Sequence, residues 1–260
     1  TTGNLKHATD QARPTRPGPP QWQPPDLAEW QQHTFAGFVA RDGRAGTRNY
    51  WLVAPLVFCE NRNVRTLRRA LLEELGYGAT RKYQQQTRRL VQRYQAGVAV
   101  EDLLQGSTPT ADETTRDRVF PQVDGVRFLT HVEGCGGAYE DAENLCGLLA
   151  GYIDHPNVAG ATSLSLGCQK SQVALLEQQI HLRNPNFAKP LYIFDQQTIG
   201  EEERLIDAAL RHTFTGLVEA NARKREPAPL EQLTLGVECG GSDGFSGISA
   251  NPAIGHASDL

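Results

Sequence analysis

Trp51-Leu52-Val53-Ala54-Pro55-Leu56-Val57-Phe58, followed at once by Cys59-Glu60-Asn61-Arg62-Asn63, sets the pattern that decides the fold of this chain. A short apolar run ends in small and polar residues, and a helical periodicity begins directly behind it. The pattern recurs. Val126 to Leu129 leads to Thr130-His131-Val132-Glu133-Gly134-Cys135-Gly136-Gly137, and Ala161 to Leu166 leads to Gly167-Cys168-Gln169-Lys170-Ser171. Leu191 to Phe194 is a further strand candidate. The helical faces between them read as Val64, Leu67, Leu71 and Leu75, then Leu145, Leu148, Leu149 and Tyr152. Val173, Leu176 and Ile180 mark a third helix, and Leu205, Ala209, Leu210 and Phe214 a fourth. Strand and helix in alternation predict an α/β fold, a mostly parallel sheet with helices on both faces. The first crossover is long and carries a helical insertion, Arg81 to Tyr94, and a polar loop, Gln105 to Arg118. Its basic residues read as a solvated helix face and not as a nucleic-acid patch, because the chain is acidic and no basic stripe continues elsewhere.

The same logic extends to Glu238-Cys239-Gly240-Gly241-Ser242-Asp243-Gly244-Phe245-Ser246-Gly247-Ile248-Ser249-Ala250-Asn251-Pro252, which follows an apolar strand candidate, Leu233 to Val237. Glycines let such a loop bring backbone N–H groups close to a ligand. Four of the five cysteines, Cys59, Cys135, Cys168 and Cys239, thus lie just past a predicted strand. In a parallel sheet those ends share one edge, where open α/β folds bind ligands. The expectation is that Cys135, Cys168 and Cys239 face a common cleft. Cys146 lies mid-helix near an apolar face and reads as a small buried hydrophobe.

With 260 residues, 39% of them hydrophobic, and net charge −4, the chain can bury one sizeable core. No apolar stretch approaches the roughly 20 residues that cross a bilayer. An odd cysteine count with no paired framework suits free thiols in a reducing cytoplasm. The N-terminal residues 1–34 are crowded with prolines between Pro14 and Pro25 and read as a stiff linker. The α/β domain is then 35–260. The absence of methionine and the stop at Leu260 read as a piece of a longer polypeptide.

Just inside the fold, Asp42-Gly43 is a turn signal, and Arg44 and Arg48 can either bind a carboxylate bidentately or pair with surface acids. The stretch Gly37 to Tyr50 resembles the opening segment of the altronate dehydratase/galactarate dehydratase family. So do His131 to Gly137, Gly151 to Gly160, Leu166-Gly167-Cys168 and, most specifically, Glu238 to Pro252. The altronate branch is the nearer one. Family members carry a SAF-type domain before the linker and a further region beyond this stretch, so the piece alone is expected to fold but to turn over substrate poorly.

The resemblance implies dehydration of a hexonate or hexarate to a 2-keto-3-deoxy acid. That chemistry needs a base at C2, a cation or metal at the enediolate and an acid for the leaving hydroxyl. It also implies a divalent metal, iron(II) or manganese(II). His131, Glu133 and Asp243 are the candidate catalytic or hard-ligand groups, and Cys135, Cys168 and Cys239 the candidate metal thiolates. Arg44, Arg48, Asn49, Gly240, Gly241, Ser242 and Ser246 are the candidate substrate-binding residues. Each has a plainer reading. His131 can bridge loops, Glu133 can be a solvated acid, and Asp243 can cap the helix that follows. The expected partners are a small sugar acid and the remaining regions of the same polypeptide, with a homo-oligomer left open and with neither nucleic acid nor membrane. Rival functions are a sulfolactate sulfo-lyase of the same family, an iron–sulfur hydratase, and a non-catalytic sugar-acid-binding module. No Cys-x-x-Cys spacing supports the cluster.

Overall fold

A computed structural model describes residues 23, 26–78, 82–104, 118–238, 240–241 and 243–260. Most of the Pro-rich stretch, nearly all of the polar loop expected from Gln105, and Arg81, Cys239 and Ser242 lie outside the described residues. The chain divides into two compact units, one of residues 34–233 and one that groups 1–33 with 234–260.

In chain order the first unit contains β1 Thr34–Val39, β2 Ala45–Gly46, β3 Tyr50–Pro55, α1 Asn61–Glu74, α2 Lys82–Gln95, β4 Gly125–Phe128 and α3 Tyr139–Asp154. It continues with β5 Val158–Ser165, α4 Val173–Arg183, β6 Leu191–Asp195, α5 Glu202–Ala222 and β7 Glu226–Pro229. The main sheet runs β4-β3-β5-β6 with every neighbouring pair parallel. The α/β reading is thus what the structure shows. Because helices cover both faces, the central strands are buried almost throughout, including all eight residues of β5.

Successive side chains of β3 divide the core. Trp51 and Val53 join Val64, Leu67, Leu71, Leu205, Ala209 and Leu217 under α1 and α5. Leu52 and Ala54 join Leu145, Cys146, Leu149, Leu176 and Ile180 under α3 and α4. Trp51 is the largest fully buried side chain, with its indole N–H donated to Thr162 Oγ1 at 3.1 Å. Two glycines make room for it. A Cβ on Gly216 would lie 2.0 Å from the indole, and one on Gly160 would lie 2.6 Å from it. Neither position admits a larger residue without moving helix or strand.

Three expectations are corrected. The buried face of α3 is Leu145, Cys146, Leu149, Ala150 and Ile153, whereas Leu148 and Tyr152 point to solvent. Close packing of α3 on α4 favours the small Cys146 and Ala150 at the contact over the larger residues. Phe214 is likewise exposed, lying edge-on to Phe120 at 5.3 Å. Leu233 to Val237 is not a strand. It has no ladder partner among the described residues, and Leu233, Leu235 and Val237 stay exposed. A further sheet, β2-β1-β7, is antiparallel. The Asp42-Gly43 turn closes its β1–β2 hairpin, with Gly43 at φ +86°.

The described residues of the second unit include a helix, α6 Ala250–Asp259, behind the Gly-rich loop. Among the described residues no helix is long and apolar enough to cross a membrane.

Candidate functional site

The loops leaving β3, β4 and β5 meet at the carboxyl-end edge of the main sheet, and their backbones are laced together. Phe58 N–H donates to the Glu133 carbonyl at 3.0 Å, and Lys170 N–H to the Gly134 carbonyl at 2.9 Å. The buried Ser171 hydroxyl lies within reach of two carbonyls, those of Leu56 and Gly134. Gly134 is required by this crossing: φ is +104°, and a Cβ would stand 2.4 Å from the Leu56 carbonyl oxygen.

His131 is part of the lacing. Its Nδ1 accepts the Glu133 N–H at 3.2 Å, which leaves Nε2 as the protonated nitrogen, donating to the Pro55 carbonyl at 2.8 Å. Asn61 holds the backbone of the same residue, donating from Nδ2 to the His131 carbonyl at 2.6 Å. The ring thus fixes the β4 loop onto the end of β3. Glu133 follows, exposed, with its N–H and carbonyl both tied and its carboxylate without a partner among the described residues. Cys59, Cys135 and Cys168 are free and exposed on the loops of this edge. The Lys170 ammonium donates to the Gly137 carbonyl.

A polar relay lies beside them at the end of β5 and β6. Gln169 Nε2 donates to Ser165 Oγ at 2.6 Å, and Ser165 donates to Asp195 Oδ2 at 2.7 Å. Thr198 donates to Asp195 Oδ1 through its N–H and its hydroxyl. Burial pulls the Asp195 carboxyl upward, but the bonds from Ser165 and Thr198 outweigh it and hold the group below the usual range. Glu60 is the opposite case. It is 1% exposed, and burial pushes its carboxyl up, only partly offset by the bond from Asn63 Nδ2 at 2.8 Å. The nearby charges of Glu202 and Asp195 push the same way.

Arg44, Arg48 and Asn49 are not brought to this edge. They precede β3 and sit at the amino-end edge, where Arg44 grips Asp154 at 2.6 and 2.8 Å and Asp42 at 2.7 and 2.9 Å. Asn184 bonds both acids. Burial alone would raise Asp42 and Asp154, but the Arg44 and Asn184 bonds hold both below the ordinary range. Arg48 pairs with Asp124 at 3.3 Å, and Asn49 is buried with bonds to the Gln122 and Ala220 carbonyls. Of the two sequence readings for the arginines, the structure shows acid pairing.

In the second unit Asp243 accepts the N–H groups of Phe245 at 2.8 Å and Ser246 at 2.7 Å through one carboxylate oxygen. It caps the turn that leads into α6, while Gly240 and Gly241 are exposed and Ser246 is half-buried. Cys239 and Ser242 lie outside the described residues.

Residues 37–221 match the family described as D-galactarate dehydratase/altronate hydrolase, second domain, and residues 230–260 match D-galactarate/altronate dehydratase, C-terminal. The chain belongs to this family. An altronate dehydratase of Bacillus subtilis (strain 168) is 30% identical over 229 residues, 88% of this chain and 36% of the relative. An altronate dehydratase of Escherichia coli (strain K12) is 35% identical over 136 residues, 52% of this chain and 26% of the relative. A galactarate dehydratase (L-threo-forming) of the same organism is 36% identical over 113 residues, 41% of this chain and 21% of the relative. The chain therefore spans 36% or less of the length of these relatives.

A divalent metal is implied for the galactarate/altronate dehydratase family by the resemblance above. Among the described residues no group of three His, Cys, Asp or Glu side chains is placed to hold one. Both His131 nitrogens are engaged, and Cys239 is not described. The described donors thus do not by themselves make up a metal site. Glu60, Asp195 and Lys170 are the groups that sequence reasoning did not single out as site residues. Lys170 and Glu60 stood within the strand-end motifs, whereas Asp195 closes the one strand end that carries no cysteine.

Proposed function

We propose that the protein is a sugar-acid dehydratase acting on altronate, galactarate or a related hexonate or hexarate. Family membership supports the reaction class. The observation that carries the site is Glu133, a carboxylate unpartnered among the described residues, on a loop clamped by His131 and Asn61. In this reading Glu133 takes the proton from C2 of the sugar acid. The electron pair forms the enediolate, whose negative charge the Lys170 ammonium stabilises. The carboxylic acid so formed returns its proton to the C3 hydroxyl, which leaves as water, and the enol tautomerises to the 2-keto-3-deoxy acid. His131 is a positioning residue, holding the loop at a fixed height above the sheet.

Assay of the full-length polypeptide on altronate, galactarate and sulfolactate, with detection of the 2-keto acid, tests this. Water loss from either sugar acid supports it, whereas sulfite release from sulfolactate alone assigns the sister lyase. Turnover that survives a chelator favours Lys170 over a bound metal as the stabilising charge.

A further inference from the structure

A second concavity lies away from the site above, towards the amino-end edge of the sheet. This cavity of about 580 Å³ is bounded by residues 39–42 of the β1–β2 hairpin, the 188–192 lead into β6, and the 216–223 end of α5. Tyr192 stacks on Trp51 with ring centroids 5.8 Å apart, and the pair forms an aromatic wall.

Its charges are unbalanced. Lys189 lines the cavity, but its ammonium already reaches the carbonyls of Ile153, Asp154 and His155 at the end of α3. Asp42 is held by Arg44 and Asn184. Two guanidiniums are left, Arg223 at the end of α5 and Arg41 on the hairpin. Neither has a carboxylate within ion-pair distance among the described residues. Arg223 is half-buried and donates only to neutral acceptors, Asn49 Oδ1 at 3.1 Å and the Val39 carbonyl at 3.4 Å. Glu219 lines the same cavity without pairing with either. A guanidinium cannot escape desolvation by losing its proton, because it stays charged at every ordinary pH. It has five N–H donors in a planar fork suited to an oxyanion, and among the described residues Arg223 has acceptors for only two of its nitrogens, with Cζ 5.7 Å from the Phe38 ring centroid. A partly desolvated cation facing an open cavity calls for an anion.

We propose that this cavity binds a small organic oxyanion, a carboxylate or a phosphate ester, gripped by Arg223 and Arg41 with its body against Tyr192. The site is separate from the Glu133 loop, so the proposal stands or falls independently of the dehydratase reading. The occupant acts as an effector or ordering ligand of the hairpin and of the α5 end.

The test uses the Trp22→Phe/Trp30→Phe variant, in which Trp51 is the remaining indole of the three in the sequence. Its fluorescence is followed on titration with inorganic phosphate and, separately, with succinate, each at constant ionic strength set with chloride. A saturable change in the millimolar range or below is expected, weakened about tenfold or more by Arg41→Gln, whose side chain is exposed and has no ion pair among the described residues. Arg223→Gln is expected to abolish it. Saturation by phosphate alone assigns phosphate esters, and saturation by succinate alone assigns carboxylates. An unchanged titration in Arg41→Gln, an equal response to chloride, or no saturable response to either anion overturns the proposal.

Discussion

The two edges of the same sheet are built from similar residue types put to opposite uses. At the amino-end edge Arg44, Asp42, Asp154 and Asn184 satisfy one another, and the buried Asn49 side chain is hydrogen-bonded to Gln122, Ala220 and Arg223. At the carboxyl-end edge the side-chain bonds of His131, Asn61 and Ser171 go to backbone, which leaves Glu133 and three thiols facing outward. The Asp42–Arg44–Asp154–Asn184 network is closed, so it contributes stability and offers little to a ligand, unlike Arg223 and Arg41 on the cavity beside it. An edge whose backbone is fixed by its own side chains can present reactive groups without losing its shape. Motif residues quoted together in the sequence thus divide into those that hold the fold and those free to act.

The largest effect that separates the edges is on turnover. Glu133→Gln is expected to lower kcat by roughly 10²-fold or more while leaving Tm unchanged, since its carboxylate holds nothing in place. Retained turnover in the 2-keto acid assay would remove Glu133 from the reaction. At the other edge the effect is on stability. Asp154→Asn breaks the Arg44 grip and is expected to cost about 2 kcal/mol, less than a fully buried pair because Arg44 is partly solvated. That corresponds to a fall in Tm of about 4–8 °C for a unit of this size, read by calorimetry. The sign with pH follows from the lowered carboxyls. Their stabilisation is present above the ordinary aspartate range and is lost as pH falls through the depressed values, so the acid limb of the variant should be flatter than that of the parent.

A smaller effect of opposite sign is expected at Glu60. Its carboxyl is raised, so the folded state is favoured with the proton on and loses stability as pH rises through the raised value. Glu60→Gln keeps an acceptor for Asn63 and removes the charge. Tm should rise at pH 7, and the gain should vanish as pH falls below the ordinary glutamate range. A gain that persists at low pH would mean that ionisation is not its cause. Least of all, Arg48→Gln removes an exposed pair with Asp124 and should shift stability by less than about 0.5 kcal/mol with no change in turnover. A large effect on either would return Arg48 to the substrate.

The four parallel strands were legible because each is a short apolar run bounded by polar, helix-starting residues, and a buried parallel strand has no other way to look. The phase of α3 was not. Leu148 and Tyr152 are the larger residues, yet Cys146 and Ala150 are small enough for the contact with α4, and size at a contact is set by the neighbour. The antiparallel sheet was hidden by Pro227 and Pro229 in β7, which read as strand breakers. They are tolerated because β7 is an edge strand, where a missing N–H goes unused. At the site, the strand-end loops announced their position through Cys135, Cys168 and Gly134. The roles did not show, since nothing in His131-Val132-Glu133 says that the ring will turn back to Pro55 while the carboxylate stays free.

Leu233, Leu235 and Val237 alternate with Thr234 and Gly236 in a stretch whose apolar side chains meet solvent and whose backbone has no ladder among the described residues. Such a ribbon of exposed apolar side chains favours association over solvation. Association of the chain in solution is expected to follow a balance between this ribbon and the mutual repulsion of a net charge of −4. Salt weakens the repulsion and leaves the ribbon untouched.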